Sequence, residues 1–290
     1  MITRFAPSPT GPLHLGHAYS ALLAHDMARS ADGRFLLRIE DIDQSRARPA
    51  WEAQIYDDLA WLGLTWETPV MRQSDRLDVY RETLNQMWWD GLLYACRCNR
   101  ADIRAAASAP QEGVSYGPDG IIYPATCRNL PEDRDHYPAA PPADAALRLD
   151  LTTVPKGLFD GTGLSFLETG APNGNHTVTL NALTSKVGDI VLSRRDIGTS
   201  YHLSVVLDDA AQGVTHVLRG ADLFEATQIH VLLQAVLGLP TPTYHHHRLI
   251  RDDHGKRLAK RDDARSLAKY RADGATPNDI RRMVGLLPEG

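Results

Sequence analysis

The chain has 290 residues, of which 43% are hydrophobic and 23% are charged, and its formal net charge is −5 at pH 7. This length permits one large domain with insertions or two domains, and the negative charge argues against a protein that coats nucleic acid without specificity. No apolar run approaches the ~20 residues of a membrane span, and Arg4 with the prolines after it interrupts any secretory signal, so we expect a cytoplasmic protein that does not enter membranes.

The first segment of the chain predicts a nucleotide-binding site. A short strand at Ile2–Phe5 is followed by a loop rich in proline and glycine and then by an amphipathic helix at about Leu15–Ser30. The prolines fix the loop, Gly16 lets the backbone approach a large ligand, and the unpaired N–H groups of a helix that begins near His17 attract phosphate. A His-x-Gly-His string alone recurs by chance, and a structural role for His14 and His17 is the alternative.

Strands and helices continue to alternate after this segment. Residues 35–39 are predicted to form a second strand, and the next helix has Ser45 as its N-cap and Pro49 in its first turn and runs to Leu62. Another helix is predicted at residues 77–90. Because this alternation produces a parallel sheet with helices on its faces, we expect ligands at the carboxyl ends of the strands.

A loop-rich insertion is predicted at about residues 95–145, where glycine, proline and alanine replace the periodic pattern. It contains Cys96, Cys98 and Cys127, the three cysteines of the chain. Without an export signal we do not expect disulfides. Three thiolates are one ligand short of a tetrahedral zinc site, so the residues alone leave zinc and buried free thiols open, with His136 as a generic fourth ligand.

Alternation resumes after the insertion, which indicates one split nucleotide-binding domain. Four strand-like runs and one helix are predicted at residues 147–151, 188–192, 202–207, 214–218 and about 223–237. The run His245, His246 and His247 predicts a strand and no metal site, because adjacent side chains on a strand point to opposite faces of the sheet.

Three segments resemble class I aminoacyl-tRNA synthetases of the glutamyl and glutaminyl branch. Residues 4–17 read RFAPSPTGPLHLGH and contain the family's histidine signature, residues 38–43 read RIEDID, and residues 201–220 contain YH, VVLDD and THVLRG in the family's order. The resemblance covers nearly the entire chain. It implies an α/β fold with a class I synthetase Rossmann-type nucleotide-binding domain and parallel sheet, a zinc-binding insertion and a short C-terminal helical region similar to a stem-contact fold.

The same resemblance implies that the chain activates L-glutamate with ATP and Mg²⁺. The catalytic residues that it implies are His14, His17 and Lys260. The glutamate-binding residues that it implies are Arg4, Phe5, Ala6, Pro7, Ser8, Glu40, Tyr201 and Arg219. The ATP-binding residues that it implies are His14, Gly16, His17, Arg257, Leu258 and Lys260. The chemistry agrees, since Arg4 can fork onto a carboxylate and Glu40 can accept from an ammonium group; a helix cap is the structural alternative for residues 40–43.

A second motif follows the histidine run. Residues 255–261 read GKRLAKR and resemble the Lys-Met-Ser-Lys-Ser element of the class, in which Lys260 contacts phosphate. Arg257 replaces the first lysine and keeps its charge, whereas Ala259 replaces the serine and loses a hydroxyl. An exposed basic turn is the alternative. His202 likewise replaces the asparagine that the family usually has beside its pocket.

One short branch of the family completes a zinc site with a Tyr-x-x-x-Cys pair, and residues 123–127 read YPATC. The resemblance therefore implies one structural Zn²⁺ held by Cys96, Cys98, Tyr123 and Cys127. Members of that branch lack an anticodon-binding domain and place glutamate on the queuosine base in the anticodon of tRNA(Asp). Since only residues 261–290 follow Lys260, we expect the same layout here.

The predicted domains are residues 1–95 and 147–250 for the two halves of the catalytic domain, 96–146 for the insertion, and 251–290 for the lysine loop and helical region. The expected partners are L-glutamate, ATP and tRNA(Asp) that carries queuosine, and we expect a monomer. Basic residues around Arg257 to Arg271 are candidates for RNA backbone contacts. The alternative for the basic segment from Arg251 to Arg271 is a solvated helical surface. The alternatives are a truncated synthetase that charges tRNA(Glu) at its 3′ end and a catalytically inactive RNA-binding homologue.

Overall fold

The computed structural model of the chain describes residues 1–108, 114–128, 140–161, 163–251 and 265–287. The strands are β1 Ile2–Phe5, β2 Arg34–Ile39, β3 Met71–Arg72, β4 Leu93–Cys96, β5 Tyr116–Gly117, β6 Gly120–Ile121, β7 Ala146–Leu149, β8 Leu164–Glu168, β9 Gly174–Val178, β10 Val191–Ser193, β11 His216–Gly220 and β12 Thr243–His247. The helices are α1 Leu15–Ser30, α2 Pro49–Trp61, α3 Leu77–Trp89, α4 Arg100–Ser108, α5 Leu180–Lys186, α6 Tyr201–Ala211, α7 Thr227–Val236, α8 Leu267–Ala272 and α9 Pro277–Met283.

Parallel strands from both ends of the chain meet at the centre of the molecule. Strands β1, β2 and β3 pair in parallel, as do β11, β12 and β8, and β9 adds an antiparallel edge to β8. The two sets adjoin where the Thr215 N–H donates to the Ile2 carbonyl at 3.0 Å. The carboxyl ends of β1 and β11 therefore lie side by side, which is where open α/β sheets bind ligands. The prediction of an α/β fold with a parallel sheet is confirmed.

Two apolar cores lie on opposite faces of this sheet. On β2, Phe35 and Leu37 face a core shared with α1, α8 and α9, whereas Leu36 faces a core shared with α3, α6 and α7. The apolar stripe predicted for α1 is confirmed, since Ala18 and Leu22 are fully buried. Alternate side chains on one strand thus join two helical layers to the sheet.

Two local predictions are wrong, and one hairpin was not predicted. Residues 202–207 lie in helix α6, because buried positions recur there at helical spacing and Ser200 caps the helix by accepting from the Leu203 N–H at 3.3 Å. A short apolar run does not distinguish a buried strand from a buried helix. Helix α2 starts with Arg48 as N-cap, and Ser45 instead donates to Asp43. The hairpin β8–β9 was missed because its outward side chains give it no continuous apolar run.

The insertion contains α4 and the hairpin β5–β6 within its described part, and β4 leads into it. Its boundaries, like those of the other predicted domains, remain predictions. Among the helices that the structure describes, none has both the length and the apolarity to cross a membrane.

Candidate active site

A cavity of about 420 Å³ opens at the carboxyl ends of β1 and β11. Eleven residues that the sequence assigned to glutamate or ATP line it: Arg4, Phe5, Ala6, Pro7, Ser8, His14, Gly16, His17, Glu40, Tyr201 and Arg219. They come from β1, the loop after it, the start of α1, the end of β2, the start of α6 and β11. The structure therefore brings together residues more than 200 positions apart in one cavity.

The two signature histidines cap helix α1. His14 is the N-cap, and its Nδ1 accepts from the Gly16 N–H at 3.1 Å, while His17 Nδ1 accepts from the His14 N–H at 3.2 Å. A neutral imidazole that accepts at Nδ1 has its proton on Nε2. Glycine at position 16 leaves room for this arrangement, because a Cβ there would lie 3.0 Å from His14 Cε1 and the ring would have to shift. The helix begins at Leu15, two residues before His17.

Arg4 and Glu40 are held by a buried network of charges. Arg4 donates to both carboxylate oxygens of Asp209, at 2.9 and 3.4 Å, and to the Leu218 carbonyl at 3.2 Å. Arg38, which is fully buried, donates to Asp209 at 2.7 Å and to Glu40 at 3.1 Å. Burial raises the pKa of Glu40, whereas Arg4 and Arg38 outweigh burial and lower the pKa of Asp209.

A second carboxylate, that of Asp208, joins this network to the core that α3, α6 and α7 share. Asp208 is completely buried and accepts from Tyr80, Gln73 and Arg76 at 2.7–3.0 Å. Arg38, Asp208 and Asp209 were not among the residues that the sequence predicted for the site. The sequence did contain a signal for them, because all three lie within or directly after apolar runs. Charged residues in such places are buried only when they are paired, so these three could have been predicted to pair.

Arg219 has different neighbours from Arg4. It donates from Nε to His246 Nε2 at 3.0 Å, from Nη1 to His230 Nδ1 at 2.9 Å and from Nη2 to Thr227 Oγ1 at 2.8 Å. Burial and the charge of Arg219 lower the pKa of His246 to about 4 and also lower that of His230, so both rings are neutral. Within the described ranges, Arg219 forms no ion pair, although it is only 6% exposed. A buried cation with neutral partners favours an anionic ligand.

The histidine run does not converge on one point. His245 contacts Thr169, His246 contacts Glu168 and Arg219, and His247 Nε2 lies 2.6 Å from Ser20 Oγ beside the cavity. The three side chains therefore have different surroundings, as expected for adjacent residues on a strand. The sequence offered no signal that His246 would contact Arg219.

The insertion brings three thiols and a phenol together. The sulfur atoms of Cys96, Cys98 and Cys127 lie within 4.8 Å of one another. The Tyr123 hydroxyl lies 3.4 Å from Cys96 Sγ and 3.5 Å from Cys98 Sγ. Tetrahedral zinc with the usual bond lengths separates sulfur and oxygen ligands by about 3.5 Å. The cluster could therefore hold a metal ion. His136, the generic alternative ligand, lies outside the described residues.

The lysine motif, with Arg257, Leu258 and Lys260, also lies outside the described residues. Part of the basic segment is described. Lys269 and Arg265 contact Asp273, and Arg271 donates to Asp57 at 2.8 Å. These pairs are exposed and agree with the solvated helical surface that the sequence allowed.

Comparison with known proteins places these features in a family. A family model described as "tRNA synthetases class I (E and Q), catalytic domain" matches residues 1–153 and 175–288. A glutamyl-Q tRNA(Asp) synthetase from Rhodobacter capsulatus is 64% identical over 99% of this chain and 100% of its own length. A protein of the same name from Symbiobacterium thermophilum is 42% identical over 96% of this chain and 83% of its own length.

Solved structures of glutamate-tRNA ligases have a similar fold. The crystal structure of a glutamate tRNA ligase from Elizabethkingia meningosepticum, in complex with its amino acid, matches with a TM-score of 0.72 and 27% identity over 98% of this chain. A glutamate-tRNA synthetase from Elizabethkingia anophelis matches with the same TM-score and 26% identity. The chain spans 60% and 61% of the length of these two enzymes.

Proposed function

The chain belongs to the class I tRNA synthetases for glutamate and glutamine, and we propose that it activates L-glutamate with ATP and transfers the glutamyl group to the queuosine base in the anticodon of tRNA(Asp). One observation carries the first half of this proposal: a single cavity combines a buried cation, a buried carboxylate and a histidine-capped helix N-terminus. The second half is supported by the 64% identical relative of the same length.

The helix end of the cavity is suited to ATP. His14 and His17 donate from Nε2 to phosphate oxygens, and the first amides of α1 add their dipole. Mg²⁺ enters with the nucleotide as part of the substrate. These donors stabilise the charge that develops on the phosphate oxygens in the transition state.

The other end of the cavity is suited to glutamate. Glu40 accepts from the substrate ammonium, and Tyr201, half-buried at the start of α6, forms a wall. The α-carboxylate must be left to react, so the group that Arg219 holds throughout is the side-chain carboxylate. Arg4, oriented by Asp209, supplies further N–H donors beside Phe5, Ala6, Pro7 and Ser8.

The reaction proceeds in two steps. An α-carboxylate oxygen of glutamate attacks the α-phosphorus of ATP, the bond to the bridging oxygen breaks, and pyrophosphate leaves. A hydroxyl of the queuosine cyclopentene-diol then attacks the activated carbonyl carbon, and AMP leaves as the hydroxyl proton is lost. Positioning and electrostatic stabilisation supply the catalysis, and no covalent intermediate forms with the protein.

We assign Lys260 to the phosphates and Arg257 and Leu258 to ATP on the strength of the motif alone. Lys260→Ala is expected to abolish glutamate-dependent ATP–pyrophosphate exchange while the melting temperature stays within a degree or so of wild type. Exchange at the wild-type rate would remove Lys260 from the mechanism.

We further propose that Cys96, Cys98, Tyr123 and Cys127 hold one structural Zn²⁺. The spacing of their ligand atoms fits a tetrahedral ion. The ion would stabilise an insertion whose own apolar cluster is small, and it would take no part in the reaction. We also propose that basic residues around Arg257 to Arg271 contact the tRNA backbone and that the protein acts as a cytoplasmic monomer.

The transfer step has a direct test. Labelled glutamate is offered with tRNA(Asp) that contains or lacks queuosine, and with tRNA(Glu). The proposal predicts label only on queuosine-containing tRNA(Asp). Label on tRNA(Glu) indicates the truncated synthetase, and absence of glutamate-dependent exchange indicates the inactive homologue. The intact histidine signature and Lys260 count against the inactive homologue.

A further inference from the structure

A chain of hydrogen bonds joins the insertion to the arginine of the cavity. Asp119, in the turn of hairpin β5–β6, contacts His202 Nε2 with both carboxylate oxygens, at 2.9 and 3.0 Å. His202 Nδ1 lies 3.0 Å from His230 Nε2, and His230 Nδ1 lies 2.9 Å from Arg219 Nη1. Asp119 and His230 were not predicted from the sequence to have a role, and His202 stood out only because it replaces an asparagine.

Arg219 at one end and Asp119 at the other fix the position of each proton along this series of hydrogen bonds. Arginine can only donate, so His230 must accept at Nδ1 and, being neutral, has its proton on Nε2. That proton is donated to His202 Nδ1, which leaves the His202 proton on Nε2, facing the Asp119 carboxylate. Each donor meets an acceptor, and a carboxylate ends the chain.

A parallel arm reaches Arg219 from the sheet. Arg219 Nε donates to His246 Nε2, so His246 donates from Nδ1 to Glu168. Both of these partners are completely buried, whereas the Asp119 side chain is 52% exposed. The sheet arm is therefore fixed by the core, and the insertion arm is the one that a change at the surface can alter.

We propose that Asp119, His202 and His230 are positioning residues that orient Arg219, so that the insertion hairpin tunes the affinity of the cavity for the side-chain carboxylate of the amino acid. This inference rests on the proposed function. Asp119 polarises the two rings and strengthens the acceptor that holds Arg219 Nη1. Arg219 holds the same carboxylate before and during the reaction. Loss of these hydrogen bonds therefore raises the KM for glutamate and leaves kcat unchanged.

The test is glutamate-dependent ATP–pyrophosphate exchange by the full chain. We expect Asp119→Ala to raise the KM for glutamate by roughly threefold and His202→Leu by roughly tenfold, as expected for weakened and broken hydrogen bonds, with kcat and the KM for ATP unchanged. Asp119→Glu recovers part of the loss. His202→Asn behaves like Asp119→Ala, because its amide oxygen can still accept from His230 while the link to Asp119 is cut.

Asp144→Ala is the matched control, since Asp144 is also an exposed aspartate of the insertion and pairs with Arg97 at 3.4 Å outside the chain of bonds. It should leave both KM values unchanged. An unchanged glutamate KM in Asp119→Ala overturns the proposal, as does an equal rise in the KM values for glutamate and ATP.

A second measurement does not depend on activity. In protein with ¹⁵N-labelled histidine, the ring signals of His230, identified by their loss in His230→Gln, should show a proton on Nε2 and should shift in Asp119→Ala. Signals that do not shift overturn the proposal. Absence of exchange by the wild-type protein contradicts the proposed function instead, and the ¹⁵N shifts then decide whether the chain of bonds couples Asp119 to His230.

Discussion

Arg4 and Arg219 reach the same cavity from neighbouring strands, but their surroundings differ. Arg4 forms a direct ion pair with Asp209, so its charge is balanced within hydrogen-bond distance. Arg219 contacts two neutral imidazoles and a hydroxyl, and the carboxylates on its hydrogen-bond network, Glu168 and Asp119, each lie beyond at least one ring.

This difference in charge balance predicts different roles for the two arginines. Removing one partner of a buried ion pair leaves an uncompensated charge and destabilises the fold. A buried cation with only neutral partners has the most to gain from an anionic ligand. We therefore expect Arg4 to contribute more to stability and Arg219 more to the binding of glutamate.

The largest effect is expected for Arg219→Met. Loss of the charge-assisted contact should lower kcat/KM for glutamate in ATP–pyrophosphate exchange roughly a thousandfold, or about 4 kcal/mol. Arg194→Met is the control, because Arg194 pairs with Asp196 on the surface, and it should change nothing. A fall of less than tenfold contradicts the role given to Arg219.

Arg4→Met should affect stability more than the binding of glutamate. Asp209 keeps Arg38 but loses its second cation, so the free energy of unfolding should drop by about 3 kcal/mol and the melting temperature by roughly 6–12 °C. Thermal unfolding with and without glutamate measures this. If Arg4→Met melts like wild type while Arg219→Met melts at a lower temperature, Arg219 contributes more to stability than Arg4, which contradicts the roles given to them.

Asp58 extends the comparison to a carboxylate that has no hydrogen-bond partner within the described residues. Burial, with a contribution from Asp57, raises its pKa from 3.8 to about 6. Between these values the folded state binds more protons than the unfolded state, so this group lowers stability as pH rises from 4 to 6. Asp58→Asn removes that cost and should stabilise the fold by about 1–3 kcal/mol at pH 7. At pH 4 the gain should be much smaller, and a gain that is equal at both pH values rules out titration of Asp58.

The smallest effect is expected at the cap of α6, the helix that holds both Asp209 and His202. Ser200→Ala removes the acceptor for the Leu203 N–H and should cost about 1 kcal/mol, or roughly 2–4 °C in melting temperature. Ser200→Thr keeps the hydroxyl and should recover most of it. Equal melting temperatures for all three proteins indicate that packing alone fixes the start of α6.

Local sequence rules predict the loop and helix of this site, and the family resemblance predicts which distant residues line it. Neither predicts the hydrogen-bond partners that hold those residues. The loop and helix around His14 form one continuous segment, so proline, glycine and capping rules are sufficient to place them. The partners of Arg219 come from α7 and β12, and nothing in the local sequence of His230 or His246 distinguishes a buried hydrogen-bond partner from an ordinary core histidine. The strand predicted at residues 202–207 is wrong for a related reason, since tertiary packing decides a short apolar run.

From these contacts we infer that the cavity binds and activates an amino acid with an acidic side chain. The most direct test is ATP–pyrophosphate exchange by the wild-type protein with glutamate and, in parallel, with glutamine. Because the glutamine amide is uncharged and cannot form an ion pair with Arg219, we predict exchange with glutamate and a kcat/KM for glutamine lower by roughly a thousandfold or more. Equal exchange with glutamine, or exchange with neither amino acid, would contradict the account.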